Sequence, residues 1–253
     1  MNARAIFLVV ACLVAVSSAP MAGAAEGLYL TWNDCAASMA ASPSAIFDCA
    51  SNSGESDLFC AFTLSQPVDS VLALEIVVDL QSAAAALPDW WHSEPGGCRE
   101  GLLQADDDFS GRGGGCVDFW QGGTSGGLQS YMPGFPRGQA NQARLKIALA
   151  VPSAESRSLN ATDMYYAARI VVGYGKTTGS SACVGCEAGA CLVLNSILIK
   201  RPPRPEGAPS TNVFLTTPGT GGANWALWQP GGANCLAVPV RTSTWGALKA
   251  LYR

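Results

Sequence analysis

The feature that most constrains this chain is its set of ten cysteines in 253 residues. Nine of them lie after residue 25, and in an oxidising compartment cysteines at this density form a disulfide framework. Because nine is odd, at least one thiol must stay free or pair between two chains. We expect Cys60 to be the free thiol, since it lies in the apolar run LFCAF at 58–62, where a small buried thiol is common.

The order of the other eight cysteines suggests pairs but does not fix them. Spacing along the chain favours Cys35 with Cys49 and Cys98 with Cys116. The remaining four are expected to pair among themselves, with the last one clipping the C-terminal segment to the 183–191 loop; they are Cys183, Cys186, Cys191 and Cys235. Several connectivities remain open.

The first 25 residues carry the pattern of a secretory signal peptide. Arg4 precedes an apolar run at 5–16, and small residues lead to Ala22, Gly23 and Ala24. The run is too short to span a bilayer comfortably, and no later stretch reaches the length of a membrane helix. We therefore expect residues 1–25 to be removed and the protein to be exported without membrane insertion. A retained N-terminal anchor is the alternative.

The charge balance limits the partners. Without Arg4 the chain holds 14 basic and 19 acidic residues, a net charge of −5. Affinity for nucleic acid depends largely on neutralised phosphates, and the sequence offers no basic patch. We therefore expect no nucleic-acid partner, and no cofactor motif is present.

Strand-like runs dominate the chain. They are rich in β-branched and aromatic residues and are separated by clusters of Ser, Asn and Gly. The seven runs are 27–32, 44–49, 58–64, 71–80, 144–151, 165–174 and 192–200. No strong helical periodicity lies between them, so the pattern predicts an all-β fold, an antiparallel two-sheet β-sandwich. Short helices are plausible at 82–87 and 244–252.

The domain organisation follows from a proline cluster at 202–205, which should end the preceding strand and form a stiff spacer. We expect one sandwich domain over residues 26–200. Residues 201–253 would be a proline-rich spacer followed by a C-terminal appendage packed on the sandwich.

Part of the sequence resembles the cohesin and carbohydrate-binding-module class of bacterial extracellular β-sandwiches. An Arg-led strand at 144–151, a loop LNAT at 159–162 and a strand at 165–172 are similar to the paired late strands of cohesins. The resemblance covers about a third of the chain and implies a sandwich fold.

Longer stretches resemble a group of uncharacterised exported bacterial proteins. The similar stretches are LYLTWNDC at 28–35, VDLQ at 78–81, LPDWW at 87–91, the Cys183-x-x-Cys186 cluster and the ending at 243–253. This resemblance implies export and a shared fold but brings no activity with it.

Aromatic residues in the glycine-rich stretch 88–138 are the candidate ligand-binding residues. They are Trp90, Trp91, Trp120 and Tyr131. Exposed aromatic rings stack on sugar rings, and long irregular loops are often functional. A bridge between Cys98 and Cys116 would hold this loop. The alternative is that the rings cap the end of the sandwich as ordinary core.

Residues that could take part in catalysis or metal binding are more simply explained by structural roles. His92 is the only histidine and lies in a loop, with no nucleophile motif around it. Cys183, Cys186 and Cys191 have the spacing of a zinc knuckle, but an oxidising compartment favours disulfides. The acidic run at 106–108 could ligate calcium, although the EF-hand spacing is absent. The sequence thus predicts no metal site.

A hydrolase would need two facing carboxylates, and four acidic residues could supply them. They are Glu94, Glu100, Asp106 and Asp118. The tripeptide at Asn160 fits a glycosylation acceptor but is expected to form a turn.

The leading function hypothesis is a secreted, non-catalytic binding module that contacts an extracellular polysaccharide or a surface protein through the 88–138 loop. One alternative is a structural or assembly subunit of the cell envelope, whose copies are joined by the odd cysteine or an open sheet edge. Another alternative is a secreted hydrolase.

Overall fold

A computed structural model describes residues 25–112, 115–203, 211–221, 223–233 and 235. This part of the chain is all-β, with no α-helix and two single 3₁₀ turns at Asp89–Trp91 and Ser153–Glu155. The strands are β1 (Gly27–Trp32), β2 (Ser44–Ala45), β3 (Glu55–Thr63), β4 (Val68–Val71), β5 (Ala73–Ser82), β6 (Leu103–Asp106), β7 (Ser125–Pro133), β8 (Gln142–Ala150), β9 (Arg157–Leu159), β10 (Met164–Gly173), β11 (Ala190–Lys200), β12 (Val213–Leu215) and β13 (Trp225–Trp228). The expected signal peptide and the expected helix at 244–252 lie outside the described residues, except for Ala25.

The strands form two main sheets. The smaller sheet has the order β1-β3-β10-β6, and the larger one has the order β2-β13-β11-β5-β8-β7, with β12 also paired to β11. A third, two-stranded sheet pairs β4 with β9. All pairs are antiparallel except β13 with β2. The all-β prediction with antiparallel sheets is therefore confirmed.

Each of the seven predicted runs contains or overlaps a strand, but several other strands had no clear sequence signal. These strands are short or rich in glycine: β4, β6, β7, β9, β12 and β13. The helix expected at 82–87 is wrong. Ser82 closes β5, the Ala83 amide donates to the carbonyl of Gly189, and the Leu87 amide donates to that of Ala140. Bonds to distant carbonyls replace the bonds that a helix would need.

The two described strands after Lys200 pair directly with the larger sheet. β13 pairs with the first half of β11, where Trp225 lies opposite Val193, and β12 pairs with its second half. β11 is long enough to bind β5 along one edge and both short strands along the other. Both described strands after Lys200, β12 and β13, therefore belong to the larger sheet.

The core forms where the inner faces of the sheets meet. The inward positions of β5 alternate along the strand and are almost fully buried: Leu74, Ile76, Val78 and Leu80. They belong to the same cluster as Leu28, Leu30 and Trp32 of β1, and β1 contacts β11 and β13. Burying each such side chain stabilises the fold by about 1.5–3 kcal/mol.

The outer face of the larger sheet holds a buried ion pair. Arg144 of β8 donates two hydrogen bonds to Asp79 of β5, at 2.6 and 2.7 Å. Asn195 of β11 donates a third bond to the same carboxylate. Only 1% of the Asp79 side chain is exposed, so its charge depends on these donors rather than on water.

Four disulfides link distant parts of the chain: Cys35–Cys116, Cys49–Cys186, Cys98–Cys183 and Cys191–Cys235. The two local pairs expected from spacing, Cys35–Cys49 and Cys98–Cys116, are wrong, because the sheet order brings loops 81 to 137 residues apart to the same place. The expected link between Cys235 and the 183–191 loop is confirmed, but the last four cysteines do not pair only among themselves, because Cys183 bonds to Cys98 and Cys186 bonds to Cys49.

These bridges bear on the compartment of the protein. Four disulfides are typical of oxidising compartments outside the cytoplasm. Within the described ranges, no helix has the length and apolar character needed to cross a bilayer.

Cys60 is the free cysteine of the described residues, as the sequence predicted. It lies in β3 with none of its surface exposed. Burial raises the pKa of the Cys60 thiol, so both access and ionisation oppose its reaction.

We expect Asp79→Ala to lower the free energy of unfolding by about 3–5 kcal/mol, because it leaves the Arg144 charge buried without a partner. Glu75→Ala is the matched control. Glu75 lies in the same strand and its side chain is 54% exposed in a pair with Lys200, so its loss should cost at most about 1 kcal/mol. Urea unfolding measures both. Equal losses would contradict a structural role for the buried pair.

We expect Cys60 to resist alkylation by iodoacetamide in the native protein at mildly alkaline pH, even without reductant. After unfolding under non-reducing conditions, a chain starting at Ala25 should take up one alkyl group, as counted by mass spectrometry. Labelling of the native protein at a rate close to that of a free thiol would show that β3 is not buried as described.

Candidate functional site

The aromatic residues expected to form a sugar-binding platform are part of the core. Trp90, Trp91 and Trp120 are at most 1% exposed, and Tyr131 is 7% exposed. Trp120 donates its indole N–H to the Ala167 carbonyl at 3.1 Å. Because these rings are covered by other parts of the protein, they present no face to a sugar, and the platform prediction is corrected.

Trp228 of β13 is the centre of this aromatic core. Its ring centroid lies 5.6 Å from that of Trp90, 5.5 Å from that of Trp91 and 5.8 Å from that of Trp32. Phe47 stacks on it at 3.9 Å with an interplanar angle of 17°. The loop after β5, the smaller sheet and the segment after β2 therefore meet on one side chain.

A buried arginine holds the 88–100 loop against the core. Arg99 is 2% exposed and its guanidinium carbon lies 3.3 Å from the centre of the Trp90 ring. It donates to the carbonyls of Trp90 and Gly173. Burial lowers the pKa of Arg99 to about 10, so the group keeps its charge at neutral pH.

Tyr131 completes this arrangement by donating its hydroxyl proton to the Trp91 carbonyl. Burial raises the pKa of Tyr131, so the phenol stays protonated and remains a donor. The 88–100 loop is thus fixed by cation–π, hydrogen-bond and disulfide contacts, which makes it a structural element.

The acidic residues considered for hydrolysis each have a structural partner. Glu94 lies 2.6 Å from His92, Glu100 accepts the Gly96 amide, Asp106 pairs with Arg169, and Asp118 accepts the Trp120 amide. None of these contacts joins two of the four carboxylates to each other. The sole histidine also contacts the Leu87 carbonyl at 3.2 Å.

The metal-site candidates separate in the structure. Asp107 accepts the Thr124 amide and Asp108 accepts the Ser110 amide, while Arg169 pairs with Asp106 and Asp108, so the acidic run at 106–108 is engaged by donors of the protein itself. Cys183 and Cys186 belong to two different disulfides. In the part of the chain that the structure describes, no three His, Cys, Asp or Glu residues are grouped so that they could hold a metal ion.

The Asn160 tripeptide forms a turn, as expected. The Asn160 side-chain oxygen accepts the amides of Thr162 and Asp163 at 2.9 and 3.1 Å. This is the Asx turn that short polar side chains favour between strands.

A polar cleft of about 400 Å³ is the candidate site instead. It lies beside the start of β3 and the short β2–β13 pair. Its lining combines two aromatic rings with hydrogen-bonding side chains, and the residues used below are Asn33, Phe47, Glu55, Asp57, Arg112 and Tyr174.

The Phe47 wall of the cleft is fixed from behind. Its ring stacks on Trp228, and the Gln229 side chain binds the Phe47 backbone twice, accepting its amide at 3.3 Å and donating to its carbonyl at 2.8 Å. The Cys49–Cys186 disulfide closes the same segment. This wall therefore needs little ordering when a ligand binds.

The charged wall is built around Asp57. Arg112 donates to its Oδ2 atom and to the Asn33 carbonyl, while Arg169 Nη1 lies 3.7 Å from its Oδ1 atom. Oδ1 is buried and has no hydrogen bond within the described residues. Asp57 is thus an ionic link between the cleft and the charges behind it.

Behind Asp57, neighbouring groups favour the charged forms of Arg169 and Asp108. Arg169 donates two hydrogen bonds to Asp106, at 2.9 and 2.8 Å. The bond to Asp106 raises the pKa of Arg169, although its partial burial works against this. Hydrogen bonds from Ser110 lower the pKa of Asp108, and Arg169 adds to the effect.

The third wall is Tyr174, which follows β10. Its hydroxyl shares a hydrogen bond with the Ser56 hydroxyl. The ring also lies against Gly54, where a Cβ atom would sit 3.4 Å from it. Gly54 has a φ of 98°, which is unfavourable for other residues. Glycine is therefore required at the turn that positions the tyrosine.

Sequence reasoning missed this cleft because its residues come from distant segments. One signal was present: Glu55 and Asp57 alternate at the start of an otherwise apolar strand, which places both carboxylates on one side of it. Nothing local connected them to Phe47, Arg112 or Tyr174.

No known family model matches the chain, and no curated protein or solved structure shows significant similarity to it.

We expect Trp91→Ala to lower the free energy of unfolding by about 3–5 kcal/mol, as large-to-small substitutions in aromatic cores do. Trp91→Phe should cost less because it keeps most of the ring volume. Thermal and denaturant unfolding measure both. A loss within 0.5 kcal/mol of zero for Trp91→Ala, in the range of surface substitutions, would show that the ring is not a core residue.

Proposed function

We propose that the chain is a non-catalytic binding module that holds a polysaccharide in the cleft, in an oxidising compartment outside the cytoplasm. The observation that carries the proposal is the lining of the cleft, where the rings of Phe47 and Tyr174 lie near polar and charged groups. Flat rings give a sugar apolar contact, and polar neighbours bind its hydroxyls.

The volume of the cleft and the preorganisation of its walls support a small-molecule or polymer ligand. A volume of about 400 Å³ lies within the range of ligand sites in proteins. Phe47, Asp57 and Tyr174 are each held by the protein's own contacts. Prior fixation of this kind reduces the entropy that binding must overcome.

Two observations favour binding over the alternative functions. The carboxylates considered for hydrolysis are engaged with arginine, histidine or backbone amides. An assembly role through the odd cysteine is disfavoured, because the Cys60 thiol is buried and cannot reach a second chain. The sequence resemblance to cohesins and carbohydrate-binding modules agrees with a binding role, and a sandwich fold of that class is part of this proposal.

Calorimetric titration with a panel of soluble glucans, xylans, mannans and amino-sugar oligomers tests the proposal. We expect saturable binding to at least one polymer. Tyr174→Ala should weaken it about tenfold or more, equivalent to about 1.4 kcal/mol, by removing one ring wall.

Lys146→Ala is the matched control for that titration. Lys146 is exposed on β8, in the larger sheet, and does not line the cleft. Its loss should leave affinity unchanged. Absence of binding across the panel, or binding that Tyr174→Ala leaves intact in a folded protein, would refute the proposed site.

A further inference from the structure

A second cleft lies beside the first and shares a wall with it. It has a volume of about 410 Å³ and is lined by Asp48, Glu187 and Gln229 together with Ile46 and Phe47. Ile46 and Phe47 line both clefts and thus form a ridge between them. Ile46 is 83% exposed. An exposed apolar ridge between two depressions suits a ligand that extends across it.

Acidic side chains outnumber basic ones in the two clefts. Glu55 in the first cleft and Asp48 and Glu187 in the second are exposed. Within the described residues, none of these three carboxylates has an ion-pair partner. Among the residues that the structure describes, Arg112 is the one basic residue lining either cleft, and it is paired with Asp57.

We propose, resting on the function proposed above, that the two clefts form one surface that selects a cationic polysaccharide, a chain whose sugars carry free amino groups. Each exposed carboxylate can pair with one ammonium group of the ligand; such pairs are individually weak in water, so several of them are needed for selectivity. The rings of Phe47 and Tyr174 add attraction for a cation near their faces. A neutral chain has neither contribution, and a polyanion is repelled.

The ridge between the clefts makes affinity depend on the length of the ligand. A ligand that fills one cleft contacts only Glu55 or only the pair Asp48 and Glu187, whereas a longer chain contacts all three. Affinity should therefore rise with chain length until both clefts are occupied, and the increase should depend on the second cleft.

Two series of oligomers with the same backbone separate charge from shape. Glucosamine oligomers carry free amines, and their N-acetylated counterparts are neutral. We expect the long glucosamine oligomer to bind about tenfold more tightly than the acetylated one at low salt, and this advantage to shrink at high salt. We expect Asp48→Asn with Glu187→Gln to reduce the gain in affinity between the disaccharide and the long oligomer, because only the first cleft then keeps its exposed carboxylate.

Glu75→Gln is the control, because it removes an exposed carboxylate outside both clefts. If both series bind equally at the cleft, polysaccharide binding stands and selection for amines is refuted. If the second-cleft variant leaves the long oligomer unaffected, the joint surface is refuted. If no oligomer or other polysaccharide of the panel binds, the proposed function fails with it.

Discussion

The structure depends on the burial of aromatic rings around Trp228. This side chain closes the gap between the two sheets, because Trp32 of β1, Trp90 of the loop after β5 and Phe47 of the segment after β2 all pack on it. Aromatic residues bury large areas and contribute a further increment when their rings meet edge to face or offset. An element that left this cluster would expose several rings at once, so the cluster couples segments that are distant in the chain.

The disulfides act on the same loops that the aromatic cluster holds. Cys49–Cys186 joins the Phe47 segment to the loop between β10 and β11, where the Cys186 carbonyl accepts the Trp228 indole N–H, and Cys98–Cys183 ties the Arg99 loop to the same loop. Loops closed by bridges of this kind lose conformational freedom in the unfolded chain. Because this chain is rich in glycine and irregular segments, the disulfides restrict the conformations of its loops. The cleft walls are among the segments that they restrict.

The cleft illustrates how the core determines a surface. Phe47 has one face on Trp228, and its position as a wall follows from that stacking. Asp57 is held by Arg112 in front and lies near Arg169 behind, which itself binds Asp106 of the neighbouring strand. The exposed carboxylates of Glu55, Asp48 and Glu187, which form no ion pair within the described residues, line the two clefts beside this fixed frame. Rigid rings beside exposed acidic groups are the features on which the proposed selection of amino sugars rests.

The amino-acid sequence by itself determined the all-β class, the approximate position of seven strand segments and the identity of the free thiol Cys60, because alternating apolar patterns and an apolar run are local signals. Only the tertiary structure decided the partners of Cys35 and Cys98, the place of β12 and β13 in the larger sheet and the burial of Trp90 and Trp91. Each of these depends on which distant strands pair. The same holds for the cleft, whose lining residues come from segments as far apart as Asn33 and Tyr174, since no local pattern encodes contacts between them.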